Sequence, residues 1–434
     1  MNVSVIGTGY VGLTTGVALA ELGNQVVLVD VVPEKLAAIE KGKAPFYEPG
    51  VDKLLSKNIS EGRITVSSDT SLAVKGAEVT FISVGTPSRE DGSMDDRYIT
   101  EASRDIGRAL SAKDEFHVVV MKSTVVPGTT SGKMKKELGS WSGKKAGEHF
   151  GIAMCPEFLR EGAAMHDSLN PDRVVIGCED DRTFGTLNRL FEPLGSRVMR
   201  TSPTAAEMIK YTSNSLLATK ISFANEISRI CELVGVDVYE IMEGVGLDFR
   251  ISPQFLRAGV GFGGSCFPKD VSALMHLAKE LGSGTPILDG VMENNRIQPL
   301  HLVEMAERMA GPLSGRKVGV LGLAFKPDTD DIRETRSLPL IEELVRRGAE
   351  VTAHDPKAVS NFRMEMPRIG YSEDKCEVLK GSDIIFLMTE WPEYRDIEWE
   401  GYGNLEAVFD GRRTVAPSSI KNLKYWSMGR PLVR

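Results

Sequence analysis

The pattern that most constrains this chain is one it carries twice. Near the start, NVSVI leads into GTGYVG, then LTTGVALAELG, then QVVLVD: a strand-like apolar run, a glycine turn, a helical run and a second strand ending on an acid. In the last third, KVGVLGLAF, SLPLIEELVRRG and EVTAHD repeat that order, with Asp355 where the first copy has Asp30, and SDIIFLMTEWPEY echoes AEVTFISVGTP. A strand joined through a helix to a parallel neighbour is the βαβ unit, so each copy predicts a parallel sheet covered by helices on both faces. The expected fold class is α/β, with two Rossmann-like doubly wound domains joined by a long central helix and a helical middle region. The expected boundaries are 1–202, 203–310 and 311–434, the last break falling at the linker-like GPLSGR.

The two copies differ in their chemistry. In the first, Gly7 and Gly9 permit a tight turn and close approach of a pyrophosphate to a helix N-terminus, Tyr10 and Val11 continue the turn, and Gly12 lets helix and strand pack. Asp30 ends the second strand where a ribose-binding acid belongs. No arginine adjoins it, which favours NAD over NADP, although Lys35 one turn further on keeps NADP as the alternative. In the second copy the third glycine is missing and FKPDTDDIRETRS is inserted, so no second intact dinucleotide site is expected. Lys326, Arg333 and Arg413 in that region suit phosphates or an interdomain cleft, or are plain surface charges.

Two more strands, in AEVTFISVGTP and FHVVVMKSTVVPG, end in polar turns, which places the hydroxyls of Thr86, Ser123 and Thr124 at the ligand-binding edge of such a sheet or makes them turn caps. A further strand, FGIAMCPEF, delivers Glu157, and a helical PEFLREG would set Glu161 on the same face. From 204 to about 234 a helical pattern opens on a capping box of Thr204 and Glu207, and Lys210 and Asn214 interrupt its buried side. A buried lysine and amide need partners, and substrate oxygens would serve.

The segment GVGFGGSCFPKD sets Cys266 among glycines just before a helix, with Pro268 expected at its first position and Lys269 alongside. A helix N-terminus and a nearby cation favour a thiolate, and therefore a nucleophile; a buried inert thiol is the other reading. The remaining cysteines are widely separated, with no disulfide or zinc spacing, which fits a reducing cytoplasm. A net charge of −8 offers no basic field for nucleic acid, and no apolar run is long enough to span a bilayer.

With these pieces in order, the sequence resembles the UDP-glucose/GDP-mannose dehydrogenase family over essentially its whole length. The motifs that carry the resemblance are GTGYVGL, SVGTP, KSTVVPGT, CPEFLREG with NPDRVVIG, EMIKYTSNS, GVGFGGSCFPKD and GLAFKPDTDDIRE. The resemblance implies oxidation of the C6 primary alcohol of a nucleotide sugar to a carboxylate with two NAD+ reduced, and the GFGGSCFPKD form favours UDP-glucose over GDP-mannose or a UDP-N-acetylhexosamine. An aldehyde must be hydrated or trapped before a second hydride can leave, and a thiolate does the trapping. Cys266 would thus form a thiohemiacetal and then a thioester. Lys210 and Asn214 would stabilise oxyanion charge, Asp270 would hold a water or Lys210 in place, Thr124 would help order that water, and Glu157 would serve as base, with Glu161 in the same network or at the substrate.

By the same resemblance, Asp30, Lys35, Thr86, Thr124, Glu161 and Arg333 belong at the cofactor. Phe158, Leu159, Arg160, Arg257, Phe262, Gly263, Lys326 and Arg413 belong with Glu157, Glu161, Lys210 and Asn214 at the sugar nucleotide. Arg250 is expected to reach a neighbouring subunit's substrate, which implies a homodimer or higher homo-oligomer. Here the chain departs from the family, reading DFRIS where members often have DPRIG. A two-electron hydroxyacid-type dehydrogenase needs neither Cys266 nor a second Rossmann-like half, and a non-catalytic sugar-nucleotide binder has no use for Cys266, Lys210, Asn214 and Asp270 together.

Overall fold

The computed structural model describes residues 1–89 and 91–431 and divides into two compact units, Met1–Ser213 and Asn214–Arg434. In the first unit eight strands form one sheet: β1 (Asn2–Ile6), β2 (Gln25–Val29), β3 (Ile64–Ser67), β4 (Val79–Ile82), β5 (His117–Met121), β6 (Phe150–Met154), β7 (Arg173–Cys178) and β8 (Arg197–Thr201). Their spatial order is β3-β2-β1-β4-β5-β6-β7-β8, with every pairing parallel except β6 with β7. In the second unit β9 (Lys317–Leu321), β10 (Glu350–His354), β11 (Gly370–Tyr371), β12 (Ile384–Leu387), β13 (Ala407–Asp410) and β14 (Lys424–Ser427) pair in the order β11-β10-β9-β12-β13-β14. The first six strands of each sheet thus follow one doubly wound order, as the repeated sequence pattern predicts.

The strands read as continuous apolar runs because both faces are covered. Val79–Ile82, His117–Met121 and Phe150–Met154 are buried at every position, and β1 and β4 are stitched by a buried Ser4–Thr80 hydroxyl bond of 2.7 Å that continues to His117 Nε2 at 2.8 Å. The second sheet packs its own core, with Phe386 and Phe409 stacked at 5.5 Å between centroids.

The central helix runs unbroken over Pro203–Val234, about 48 Å at 1.5 Å per residue. Its start departs from the capping-box expectation. Ser202 Oγ, not Thr204, accepts from Ala205 N at 3.3 Å, and the buried Glu207 carboxylate turns away to accept from Gly128 N at 2.5 Å and Thr130 N at 2.8 Å. A long-range pair of backbone donors has displaced the local box. The first helix begins at Tyr10, one turn earlier than its apolar run suggests, and the helix after the glycine segment spans Phe267–Glu280, with Cys266 at its N-cap and Pro268 at the second helical position. PEFLREG is not helical: the next helix starts only at Ala164.

Candidate active site

In the first unit, the glycine turn is built by close contacts that only glycine allows. Gly7 has φ +95°, and a Cβ there would lie 2.7 Å from the Ser83 carbonyl oxygen; a Cβ on Gly12 would overlap the Gly7 carbonyl. Gly9 faces open space and is the N-cap of the helix Tyr10–Glu21 without a side-chain cap, so the first-turn N–H groups, those of Val11 and Gly12 among them, suit a pyrophosphate. Asp30 closes the turn, accepting from Thr8 N at 2.9 Å and Thr8 Oγ1 at 2.6 Å through one oxygen and from Val32 N at 3.1 Å through the other. Burial pushes the Asp30 carboxyl up, but the Thr8 and Val32 donors and Lys35 outweigh it, so it stays ionised well into acid. Lys35 Nζ lies 3.8 Å from Asp30. Thr86 and Thr124 follow β4 and β5, half-buried, while Ser123 Oγ donates to the Val84 carbonyl at 2.6 Å and ties those two turns together.

The two acids of PEFLREG go separate ways, because the segment is extended. Glu157, buried, holds Lys210 Nζ at 2.7 Å through one oxygen and accepts from Leu159 N at 2.6 Å through the other. Burial raises the Glu157 carboxyl, yet the Lys210 ammonium and the Leu159 N–H together hold it below its ordinary value. Phe158 lies beneath both cations, with Arg173 Cζ 4.0 Å and Lys210 Nζ 5.6 Å from its ring centre. Arg160 forks onto Asp167 at 2.6–3.0 Å. Burial, the bond to Glu48, and the charges of Glu48 and, more weakly, Glu161 drive the Tyr10 hydroxyl far above its usual range. Glu48 was not anticipated from the sequence. It takes the Tyr10 hydroxyl, Gly162 N at 2.6 Å and Ala164 N at 2.8 Å, so it fastens the glycine-turn helix to the loop that carries Glu157.

In the second unit, Asn214 Nδ2 donates to Asp270 Oδ2 at 2.6 Å, and Lys269 Nζ bonds the other oxygen. Lys269, three residues after Cys266, is thereby paired with Asp270. Cys266 is half-buried, and its carbonyl accepts the first bond of its helix, from Asp270 N at 2.9 Å. Asn214 is one turn beyond Lys210 on the same continuous helix. Phe262 is buried and edge-on to Phe267 at 5.9 Å, and a Cβ on Gly263 would overlap the Glu334 carbonyl.

The basic residues are spread more widely. Arg413 pairs with Asp237 at 2.7 Å and lies 4.0 Å over the Tyr239 ring, while its neighbour Arg412, which the sequence did not single out, donates to the Gly261 carbonyl at 2.8 Å. Arg333 forks onto Asp331 at 2.6–3.0 Å, Lys326 Nζ stands 5.3 Å over Phe325, and Arg257 is exposed. Arg250 is exposed and chelates Asp248. In that DFRIS stretch Ser252 has φ +67°, the left-handed region that the family's glycine would occupy without strain.

The second Rossmann-like turn repeats the first down to its bonds. Gly322 has φ +104°, and Asp355 accepts from Leu323 N at 2.7 Å, as Asp30 does from Thr8 N. Asp355 also takes Ala324, Lys357 and Ala358 N–H groups and the Trp391 indole at 3.0 Å, so all its lone pairs are spent and an indole covers it. Ser337 Oγ donates to the Gly322 carbonyl at 2.8 Å, filling the approach that Gly12 leaves bare. These contacts fit no ribose, in keeping with the lost third glycine.

One open dinucleotide turn with an ionised acid behind it, on a chain with a second and blocked Rossmann-like half, defines a protein built to bind one dinucleotide such as NAD. Models of the UDP-glucose/GDP-mannose dehydrogenase family match its NAD binding domain at residues 1–195, its central domain at 204–297 and its UDP binding domain at 319–417. The chain is 39% identical to UDP-glucose 6-dehydrogenase TuaD of Bacillus subtilis, over 100% of this chain and 94% of that one. It is 41% identical to UDP-glucose 6-dehydrogenase AglM of Haloferax volcanii, over 96% and 97%. Among solved structures, a UDP-glucose dehydrogenase from Pyrobaculum islandicum superposes with a TM-score of 0.90 at 40% identity, covering 98% of this chain and 96% of that one. A UDP-D-ManNAc dehydrogenase from Pyrococcus horikoshii does so at 0.87 and 28%, covering 99% of each. The chain belongs to the UDP-glucose/GDP-mannose dehydrogenase family, with NAD as its cofactor and a nucleotide sugar as its substrate.

Proposed function

We propose that this enzyme oxidises the C6 alcohol of UDP-glucose to UDP-glucuronate in two steps through a covalent Cys266 intermediate. The observation that carries the reading is the pair of buried polar groups one turn apart on the central helix: Lys210 held by Glu157, and Asn214 held by Asp270, the residue whose N–H binds the Cys266 carbonyl. Gly7 to Gly12, Asp30 and the Thr86 and Thr124 turns would hold NAD, which would supply the hydride acceptor for each oxidation. Lys210 and Asn214 steady the C6 oxygen as it gains charge, a contribution of about 3 kcal/mol per donor at comparable sites. Cys266 Sγ adds to the aldehyde carbon, and oxidation of the resulting thiohemiacetal leaves a thioester on Sγ. Glu157 draws the proton from a water ordered by Thr124 and Asp270; the hydroxide attacks the acyl carbon and the thiolate returns. Glu161, whose charge is felt at Tyr10 of the glycine-turn helix, is assigned to the cofactor and to the sugar nucleotide.

Phe158, Leu159, Arg160, Arg257, Phe262, Gly263, Lys326 and Arg413 are assigned to the sugar nucleotide, and Arg333 to the cofactor. The proposed division is an NAD domain over 1–202, a helical dimerisation region over 203–310 and a UDP-sugar domain over 311–434. A homodimer is supported by the apolar exposure around Arg250: Leu247 is 82% and Phe249 92% exposed, with Leu233 and Val234 also bare. No described helix is long and apolar enough to cross a membrane, and the proposed location is the cytoplasm. The test is NADH released per sugar across UDP-glucose, GDP-mannose and UDP-N-acetylhexosamines. Two per UDP-glucose with little turnover of the others supports the reading, and preference for another sugar replaces it.

A further inference from the structure

The glycine segment around Cys266 suggests a loop left free to close over a ligand, yet its contacts show a different use of the glycines. A Cβ on Gly261, where φ is +104°, would lie 2.5 Å from Asn295 Oδ1, and one on Gly264 would lie 2.8 Å from the Phe325 ring. The chain's own groups, Asn295 first among them, occupy the space that these glycines vacate.

Three buried amides grip the backbone of this segment. Asn295 accepts from Phe262 N at 2.7 Å and donates to Phe262 O at 3.0 Å, a two-way clamp of the kind one strand makes with the next. Gly259 is held from both sides as well, its N–H by Asn225 Oδ1 at 2.8 Å and its carbonyl by Gln298 Nε2 at 2.9 Å. Asn225 and Gln298 are fully buried and Asn295 nearly so. Arg229 supports them from behind, bonding Gln298 Oε1 and, at 3.0 Å, Asn294 Oδ1. Arg412 takes the remaining Gly261 carbonyl at 2.8 Å. Burying amides is costly unless they are paired; the amide groups of Asn295 and Gln298 and the Asn225 oxygen are, Asn225 Nδ2 is not, and pairing them to one short loop fixes that loop's shape.

We propose that Asn295, supported by Gln298 and Asn225, is a positioning residue that holds Gly259–Phe262 in its working shape before any substrate arrives. It touches none of the reacting atoms and acts through the loop that leads into Cys266. The inference rests on the reading of that loop as part of the substrate site, and its tests separate the two.

Amide hydrogen exchange on the ligand-free enzyme needs no substrate. The Gly259 and Phe262 N–H groups exchange slowly in the wild type, and Phe262 exchanges at least about tenfold faster in Asn295→Leu. Fast exchange at both in the wild type overturns the proposal. In turnover, Asn295→Leu lowers kcat/KM for UDP-glucose by about tenfold to a hundredfold, as loss of loop placement does, while KM for NAD stays within about twofold. Asn295→Asp keeps the acceptor for Phe262 N–H but sets a carboxylate against the Phe262 carbonyl, so it also loses at least about tenfold and decides the matter should the leucine variant not fold. Wild-type kcat and KM in either variant overturn the proposal. A wild-type enzyme that makes no NADH from UDP-glucose overturns the substrate reading alone and leaves the exchange result to decide the cradle.

Discussion

Replacing Lys210 by methionine keeps most of the side chain's bulk and removes its charge, which strands Glu157. The pair is buried on both sides, 3% and 6% exposed, at 2.7 Å. Removing one member of such a pair costs about 3–5 kcal/mol, chiefly because the other charge stays inside without a partner. At about 2–4 °C per kcal/mol for a unit of this size, the first unit's unfolding midpoint falls by about 6–20 °C near neutral pH. The pH dependence carries the sign. In the wild type the Glu157 carboxyl, raised by burial but lowered further by Lys210 and the Leu159 N–H, ends below its ordinary value of 4.5. A depressed acid contributes stability that is present above the unfolded pKa and lost as pH falls through the folded one. Without Lys210 the burial of Glu157, the largest contribution, is opposed only by the Leu159 N–H and the charge of Lys122, so the folded pKa rises, and the variant is penalised at neutral pH and relieved as Glu157 takes up a proton. Thermal unfolding from about pH 7.5 down to about pH 5 should therefore show the gap between wild type and Lys210→Met narrowing. Glu157→Gln/Lys210→Met should be more stable than Lys210→Met alone at neutral pH. A gap that stays constant with pH, or a double variant no better than the single one, refutes the argument that a stranded charge sets the cost.

Other outcomes follow from single contacts. Gly12→Ala drives a Cβ into the Gly7 carbonyl, so KM for NAD rises by at least about tenfold in steady-state kinetics while KM for UDP-glucose changes little. His117, buried between Thr80 and the Ala77 carbonyl, has its pKa pushed down to about 3 by burial and by Lys113. Its stabilising neutral form is complete above the ordinary histidine value of 6.5, and stability is lost by about 1.4 kcal/mol per pH unit below that until the folded pKa is reached; His117→Asn should flatten this slope in acid unfolding. Ser252→Gly relieves a left-handed serine and should raise stability by about 1 kcal/mol, read as an upward shift in the second unit's unfolding midpoint. Cys266→Ala should abolish uronate formation and leave NAD binding intact by titration; near wild-type acid production would remove covalent trapping.

Much of the architecture was legible because the information is local. The glycine turns, the apolar strands and the acids that end β2 and β10 all lie within short βαβ stretches, and periodicity finds them. What escaped depends on partners far along the chain. Glu207 reads as half of a capping box, yet Gly128 and Thr130 claim it from across the first unit. Glu48 sits in a featureless loop and is defined only by Tyr10, Gly162 and Ala164. Asn225, Asn295 and Gln298 look like ordinary polar positions on helices, and only their burial against Gly259 and Phe262 shows their use. Even the glycines of GVGFGGSCFPKD, which sequence reasoning assigns to a ligand, answer in part to Asn295, Glu334 and Phe325.

On the proposed route Cys266 carries the substrate as a thioester between the second oxidation and hydrolysis. Acid quenching of Glu157→Gln enzyme during turnover of UDP-glucose and NAD, followed by intact-mass and peptide analysis, tests it directly. With the hydrolytic base removed, the protein should gain the mass of one UDP-glucuronyl group, mapped to the peptide containing Cys266 and released by hydroxylamine. Two NADH per UDP-glucose with no adduct on Cys266 at any time would contradict it.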